Sequence, residues 1–490
     1  MRLLLKLTAA LLVLGTFGCR RPVGLAELAP DPEAREAGAV AAFDSTDDDK
    51  ADFFAFADDQ GRIRYIGYDT NADTTPDVRI DLDAMPLSQC RHLVIVLDGV
   101  SYDLLKDYYD SGGLRMFHPP SRVIAPYPVM TDLSMVSLLN APAAEGVEAR
   151  YYDRRSGKMV GGSMEYLTGG TKGYNRMLQY RAHLLWDAVG YLKPRDVFGK
   201  EMNDLKETFD AGETREIIAY SSSSAGMGTR LAEQGHRECL ETVEQLVWEL
   251  LCETRGLVKV TLLADHGHNY TASTPIGLES FLQERGWRIT DRLGDGKDVA
   301  YIRFGLETYA GFATHRPAEL AGDVIECEGV TLASYAEGEH VVVLAPDGRR
   351  ALVHRRGNSY RYEPISGDPL KLNELLATMQ SDDGYHDADE LLEATAGHYY
   401  PAPLQRLWRA HFAMVQNPPD VIVSLADDKF SGADFMANAI DVASTHGSLR
   451  RRNSVTFIMS TIGPLPELMR TREVPQHMSE LLGEPWPTGK

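Results

Sequence analysis

Residues 92–100 read HLVIVLDGV, an apolar run of strand length that ends in Asp98-Gly99. A second run of this kind, VKVTLLADHGH at 258–268, ends in Asp265-His266-Gly267. Continuous apolar runs of this length are typical of strands that are buried on both faces of a sheet. From residue 90 onward, such runs alternate with amphipathic helical stretches. The alternation predicts an α/β fold with a mostly parallel central sheet flanked by helices.

Both runs place polar side chains directly after a strand. In open α/β sheets, ligands bind outside the carboxyl ends of the strands, so we expect Asp98, Asp265 and His266 to face one crevice. Taken singly, an Asp-Gly pair after a strand is typical of a plain turn. The functional interpretation therefore depends on further motifs in the same chain.

Four motifs in order resemble the alkaline phosphatase superfamily, particularly its nucleotide pyrophosphatase/phosphodiesterase branch. They span residues 90 to 460 and are Asp98-Gly99, Pro128 to Thr131, Asp265-His266-Gly267, and His446 in STHGSLR. The resemblance implies a two-metal site in which divalent cations activate a hydroxyl nucleophile and neutralise charge on the attacking and leaving oxygens. It implies that Thr131 is the nucleophile. It also implies that one ion is held by a mixed oxygen and nitrogen set that suits zinc, namely Asp98, Thr131, Asp265 and His266.

The ligands of the second ion are where this sequence departs from the family pattern. The family holds that ion with an Asp, a His four residues later and the C-terminal His, which here is His446. The predicted strand REIIAYSS leads into YSSSSAGMG, where Ser223 stands at the aspartate position and Met227 at the histidine position. A serine and a thioether bind hard or borderline divalent cations poorly.

Three alternatives remain open for this site. The protein works with one ion, or other histidines replace the lost ligands, or the site is inactive and the fold serves binding. The candidate replacements are His268, two residues after His266, and His236 in EQGHRE. We expect His268 to be an ordinary loop residue and His236 to lie on the surface of a helix.

The segment GVEARYYD contains a candidate substrate-binding residue, Arg150, near the position where the resembling branch has an Asn that contacts phosphate. A guanidinium there would bind the phosphate of a small phosphate-ester substrate, and an exposed arginine in a turn is the alternative. An insertion at about 290–400, with strand-like runs at 341–356 and 360–364, is expected to cap the site. Nothing in the insertion names the substrate.

Residues 1–19, MRLLLKLTAALLVLGTFGC, predict an export signal. Arg2 and Lys6 flank an apolar stretch that is too short to span a bilayer, and small residues precede Cys19. The end of this segment resembles a lipoprotein cleavage box, and a simple secretory signal is the alternative. We expect a linker at 20–40 and a periplasmic or cell-surface protein that contacts the membrane through a lipid anchor only.

Residues 41–85 contain a short internal repeat, DSTDDDKAD from Asp44 and DTNADTTPD from Asp69. Calcium favours oxygen ligands presented by such turns, so the repeat predicts calcium binding. Solvated acidic turns between small strands are the alternative. Oxygen-bearing side chains occupy positions 1, 3, 5 and 9 of each turn: Asp44, Thr46, Asp48, Asp52 and then Asp69, Asn71, Asp73, Asp77.

The composition narrows the classes of function. A formal net charge of −21 over 490 residues argues against nucleic acid as a partner, because phosphate backbones are bound by basic faces. The sequence thus predicts an exported metal-dependent hydrolase of phosphate monoesters or diesters, with its catalytic domain at 89–475. The alternative is a catalytically inactive protein of the same fold that acts as a binding or scaffold lipoprotein.

Overall fold

The computed structural model of the protein describes residues 26–28, 38–162, 173–182, 189–432 and 440–487. The predicted export signal with Cys19, and most of the 20–40 linker, lie outside these residues. Within the described part of the chain, no helix is both long enough and apolar enough to cross a bilayer.

A small antiparallel sheet precedes the main body. Its five strands are hydrogen-bonded in chain order, and its two Asp-rich turns connect β2 to β3 and β4 to β5. Phe43 and Phe53 pack this sheet against Trp248 of the main body, with ring centroids 5.1 and 6.3 Å apart. The strands are β1 (Ala26–Leu28), β2 (Ala41–Asp44), β3 (Phe53–Ala57), β4 (Ile63–Tyr68) and β5 (Val78–Asp81).

The central sheet has seven strands in the order β10-β11-β6-β12-β25-β7-β26. The four strands from β10 to β12 are parallel to one another, β25 is antiparallel to both of its neighbours, and β26 is parallel to β7. The strands are β6 (Arg91–Leu97), β7 (Ser121–Ile124), β10 (Tyr180–Arg181), β11 (Glu216–Ser221), β12 (Val258–Ala264), β25 (Val455–Ser460) and β26 (Leu468–Arg470).

Strand β6 is buried on both of its faces, as its apolar sequence predicts. Leu93, Ile95 and Leu97 enter one hydrophobic cluster, and Val94 and Val96 enter another on the opposite face. This alternation follows from the two-residue period of a strand. Helical residues pack in both clusters, Leu104 and Leu205 in the first and Leu138 and Val474 in the second, so the mixed α/β class is confirmed.

A second, largely antiparallel sheet contains the region predicted as an insertion. Its order is β14-β15-β17-β23-β18-β19-β20-β21-β22, and the predicted runs at 341–356 and 360–364 form its β19, β20 and β21. Whether this sheet caps the site stays a prediction. Its strands are β14 (Arg288–Ile289), β15 (Asp298–Ile302), β17 (Tyr309–Ala313), β18 (Val330–Glu337), β19 (His340–Ala345), β20 (Arg349–Arg356), β21 (Ser359–Ser366), β22 (Tyr385–Asp387) and β23 (Val421–Leu425).

The remaining strands form two small sheets. Strands β8 (Arg150–Asp153) and β9 (Lys158–Gly161) make a hairpin. Strand β24 (Lys429–Gly432) lies between β13 (Thr274–Pro275) and β16 (Leu306–Glu307).

Helices connect and cover the sheets. The longest one, α4, departs from helical geometry at Ala232 (φ 52°, ψ −135°), so its two halves meet at a kink. The helices of the described residues are α1 (Tyr102–Asp110), α2 (Thr131–Leu138), α3 (Pro194–Ala211), α4 (Ser223–Glu253), α5 (Leu278–Glu284), α6 (Pro317–Val324), α7 (Asn373–Leu376), α8 (Ala388–Thr395), α9 (Pro403–Phe412), α10 (Arg451–Ser454) and α11 (Val474–Leu482). Short 3₁₀ turns occupy Leu87–Gln89, Gly173–Met177 and Thr471–Glu473.

Candidate metal centre

The ends of two neighbouring parallel strands bring three potential metal ligands together. In the register of β6 and β12, Leu97 lies opposite Ala264, so the residues that follow them, Asp98 and Asp265, leave the sheet side by side. Asp98, Asp265 and His266 are buried, and each offers one ligand atom within 4.8 Å of the other two. This is the arrangement expected from the two motifs at the strand ends.

The hydroxyl of Thr131 lies beside this cluster. Thr131 is the first residue of α2, and its Oγ1 lies 3.2 Å from His266 Nε2 and 3.4 Å from Asp98 Oδ2. His266 Nδ1 lies 3.2 Å from the carbonyl oxygen of Gly267. A carbonyl can only accept, so Nδ1 carries the proton and the lone pair of Nε2 faces the two carboxylates and Thr131.

The electrostatics of the cluster are unfavourable without a cation. Burial, together with the Asp98 carboxylate, raises the pKa of Asp265 well above its usual range. Burial lowers the pKa of His266 to about 3, which keeps the imidazole neutral. Asp265 Oδ1 accepts from the backbone N–H groups of Gly99 (3.0 Å) and His266 (2.8 Å), whereas no described residue donates a hydrogen bond to its Oδ2.

Residues at the end of the neighbouring strand β11 and at the start of α4 position Asp98. The hydroxyl of Tyr220 donates to Asp98 Oδ2, and the Asp98 N–H donates to Ser224 Oγ at 2.7 Å. Our sequence interpretation missed both residues. The signal for Tyr220 is its position, because it lies near the end of a strand that pairs directly with β6.

His446 lies next to this cluster. Its ring stacks on that of His266 with centroids 4.0 Å apart. Its Nδ1 lies 2.9 Å from the carbonyl oxygen of Val129, so Nδ1 donates and the Nε2 lone pair stays available. Burial lowers the pKa of His446 to about 3. His446 does not belong to the group whose ligand atoms lie within 4.8 Å of one another.

The segment YSSSSAGMG forms the end of β11 and the start of α4. Its Ser223 hydroxyl donates to the carboxylate of Glu201, and Ser221 Oγ donates to the same carboxylate at 2.6 Å. Met227 is buried in the hydrophobic core. Among the described residues, Asp98, Asp265 and His266 form the only group of three or more His, Cys, Asp or Glu side chains whose ligand atoms converge within 4.8 Å, so this strand end offers no comparable set.

Glu201 is another residue that our sequence interpretation missed. It is 2% exposed and lies on α3 among the buried residues Val197, Phe198, Met202 and Leu205. A glutamate at apolar helical spacing was the available signal, because charged residues are rarely buried without a partner.

The expected surface position of His236 is wrong, because this residue is fully buried. Its Nε2 lies 3.1 Å from the Ser224 carbonyl oxygen, so Nε2 donates and Nδ1 accepts from the Tyr270 hydroxyl at 2.9 Å. His268 is also fully buried, with Nδ1 3.1 Å from Ser444 Oγ. The ring centroids of His236 and His268 are 5.1 Å apart.

Arg150 pairs with a carboxylate of its own chain. Its Nη2 lies 2.8 Å from Asp291 Oδ1, and the arginine side chain is about one-third exposed. The substrate-binding role of Arg150 stays a prediction.

The two Asp-rich turns share one hydrogen-bond pattern. Asp44 accepts from the backbone N–H groups two, three and five residues later, and Asp69 does the same. Asp52 and Asp77 each accept from the second residue of their turn, Ser45 and Thr70. These bonds account for the turn conformation without a cation, so calcium binding stays a prediction.

Comparisons with known proteins give only distant similarity. No protein-family model matches the sequence, and no curated protein matches it. The solved structures it resembles include murine and human ectonucleotide pyrophosphatase/phosphodiesterase 5, each with 10% sequence identity and a TM-score of 0.42, covering 80% of this chain and 95% of theirs. An inactive form of the murine protein in complex with AMP gives 10% identity and a TM-score of 0.43, with 81% and 95% covered. At these values the similarity does not assign the chain to a family.

Proposed function

We propose that the protein is an exported hydrolase of phosphate monoesters or diesters that uses Thr131 as its nucleophile and one divalent cation, with zinc as the expected metal. The observation that carries the proposal is the position of Thr131 Oγ1 beside the Asp98–Asp265–His266 cluster, 3.2 Å from His266 Nε2. Export and the lipid anchor at Cys19 rest on the sequence of residues 1–19.

The residues present fit a divalent cation. Asp265 Oδ2 is buried without a hydrogen-bond donor, and the pKa of Asp265 is raised by burial and then by the Asp98 carboxylate, both of which a cation would offset. Two carboxylates, an imidazole and a hydroxyl form a donor set that zinc accepts. When bound, such an ion lowers the pKa of a coordinated hydroxyl and neutralises charge on the transferred phosphoryl group.

The chain's own residues have distinct roles in this proposal. Thr131 Oγ attacks phosphorus, the bond from phosphorus to the leaving oxygen breaks, and water then releases the phosphoryl group from Thr131. Asp98 Oδ2 lies 3.4 Å from Thr131 Oγ1 and is the carboxylate oxygen that would accept the Thr131 proton. Because Thr131 opens α2, the helix N-terminus favours the negative charge of the phosphate. Tyr220 and Ser224 are positioning residues that hold Asp98.

A second candidate function is a non-catalytic protein that keeps this fold for binding. The observation that favours it is the chemistry at the end of β11, where the Ser223 hydroxyl donates to Glu201 and Met227 is buried. A single cation leaves the leaving group and the attacking water less well stabilised than two cations do. The enzyme proposal therefore predicts slow turnover and a preference for good leaving groups.

The test combines metal content with hydrolysis of aryl phosphate mono- and diesters by the purified full-length protein. We expect about one tightly bound ion per chain and turnover that falls by about 1,000-fold or more in Thr131→Ala, because the nucleophile is lost. Thr131→Ser keeps a hydroxyl and is the matched control, with partial activity expected. Absence of bound metal, or equal activity in Thr131→Ala, would overturn the proposal and favour the binding protein.

A further inference from the structure

A pocket lies between three parts of the chain. They are helix α9, the first residues of the segment that leads to Thr131, and the residues after β26. It contains about 390 Å³ of empty space, including its open mouth. Its walls include residues 124–127 and Ser137, near the end of α2. The pocket is separate from the Asp98–Asp265–His266 cluster, because none of those three residues lines it.

Four arginines line this pocket: Arg406, Arg409, Arg470 and Arg472. Such a concentration of positive charge is notable in a chain with a formal net charge of −21. Two carboxylates, those of Asp389 and Glu473, pair with Arg470 at 2.6 Å each. Asp389 is 71% exposed, so solvent screens its contribution. Glu473 also lies 3.7 Å from Arg472.

Arg406 and Arg409 have no carboxylate partner in the described part of the chain. Arg406 donates to neutral oxygens, including Pro401 O at 3.1 Å and Ser454 Oγ at 2.8 Å. Burial lowers the pKa of Arg406 to about 9. Burial, and then the nearby charge of Arg472, lower the pKa of Arg409. Arg406 therefore lacks the counter-charge that a buried cation requires, and the partly buried Arg409 lacks a carboxylate partner too.

Buried donors without acceptors line the same pocket. Arg406 Nε, Arg470 Nε and Gln405 Nε2 have no hydrogen-bond partner among the described residues, although these side chains are only 4–5% exposed. An unsatisfied buried donor costs free energy, and native proteins contain few of them. All three are donors, so the group that would satisfy them must be an acceptor.

We propose that this pocket binds a small tetrahedral oxyanion with about two negative charges, of which phosphate is the type. Two guanidiniums without counter-charge match a dianion better than a singly charged carboxylate. The planar fork of arginine binds phosphate through paired hydrogen bonds, and such charge-assisted bonds are the strong ones. The inference does not depend on catalysis at Thr131.

The test is calorimetric titration of the full-length protein with sodium phosphate at constant ionic strength. We expect saturable binding by the wild type, and affinity weakened about tenfold or more in Arg409→Gln, because a hydrogen bond to a charged group is lost. Arg292→Gln removes an exposed arginine that does not line the pocket, and it is the matched control with affinity within about twofold of wild type. Absence of saturable binding by the wild type would overturn the proposal.

Two further measurements distinguish phosphate binding in this pocket from binding at the metal centre and from loss of binding through misfolding. Phosphate should still bind to Thr131→Ala in the presence of a chelator. Loss of binding there, with binding kept in Arg409→Gln, would overturn the proposal.

Gln405→Leu removes a donor that has no partner, so we expect weaker phosphate binding with unchanged or raised stability in urea without phosphate. Sulfate should compete with phosphate and acetate should not, and equal binding of acetate would overturn the assignment to a dianion.

Discussion

Two neighbouring sites at strand ends of the central sheet have opposite chemistry. The first strand end is formed by β6 and β12 together, and the second strand end is that of β11. At the ends of β6 and β12, two carboxylates, an imidazole and the Thr131 hydroxyl converge, and Asp265 Oδ2 has no donor. At the end of β11, two serine hydroxyls donate to Glu201 and a methionine enters the core. The fold supplies both positions, so position alone does not make a metal site. What distinguishes them is the side chains they carry, carboxylates and an imidazole at one and serine hydroxyls and a thioether at the other.

The largest expected effect follows from removing a charge at the first strand end with Asp265→Asn. We expect the bound metal to fall from about one ion per chain to nearly none, with affinity lowered by more than about 100-fold, since even residues behind a ligand contribute 10–100-fold. With a chelator present, the variant should be more stable than wild type, because the cost of burying this carboxyl group, and its repulsion from Asp98, are gone. Elemental analysis and urea unfolding measure the two effects.

The matched control for this variant is Asp291→Asn, which removes an exposed carboxylate that pairs with Arg150. Its metal content should equal that of wild type. Unchanged metal content in Asp265→Asn would show that the first strand end is not a metal site, and the contrast between the two ends would disappear.

An intermediate effect is expected from adding a carboxylate at the second strand end with Ser223→Asp. The new carboxylate would meet the buried Glu201, so we expect a loss of about 3 kcal/mol or more in the free energy of unfolding. Glu201→Gln in the same chain should restore most of that loss. Urea midpoints of the single and double variants measure the coupling.

A third change in the chain that carries Ser223→Asp and Glu201→Gln tests the comparison of the two strand ends further. Ser223→Asp with Met227→His and Glu201→Gln supplies the Asp and His that the sequence resemblance predicts at these positions, without the competing carboxylate. Uptake of a second ion by this triple variant would show that residue identity alone separates the two ends. If Ser223→Asp alone is as stable as wild type, the idea that Glu201 closes this end is incorrect.

The smallest expected effect concerns Ser224, which joins the two ends. Its Oγ accepts from the Asp98 N–H at 2.7 Å and donates to the Ser221 carbonyl at 2.9 Å. Asp98 N–H also has Ser221 O at 3.3 Å, so Ser224→Ala should cost only about 1 kcal/mol of stability. Metal affinity should fall by less than about tenfold. Thermal unfolding with and without metal tests this, and a loss of all metal would contradict it.

The sequence predicted the parts of the fold that local pattern determines. The strands that precede Asp98, Asp265 and Ser222, and the strands at 341–364, are confirmed because uninterrupted apolar or alternating runs admit few other conformations. The position of Thr131 beside the same cluster was implied by the resemblance to a known superfamily and not by local pattern.

The burial of His236 and His268 could not be predicted from local sequence patterns. His236 is buried because α4 kinks at Ala232 and because Gly228 has no side chain where the His236 ring lies. His268 likewise occupies the space in which a Cβ on Gly99 would lie, and Gly99 has φ +85°. A glycine in a sequence shows that room exists, but it does not show which distant side chain fills it.

The order of the central sheet also determines when the cluster can exist during folding. Asp98 and Asp265 come from strands that are neighbours in the sheet but far apart in the chain, and Thr131 follows β7, which is separated from β12 by β25 near the C-terminus. Contacts of such high sequence separation form late, since loop closure must precede them. A partly synthesised chain that lacks β25 therefore lacks the strand that joins the two halves of the site. We expect a cation to bind tightly only after nearly the whole polypeptide has folded, which couples metal loading to completion of folding.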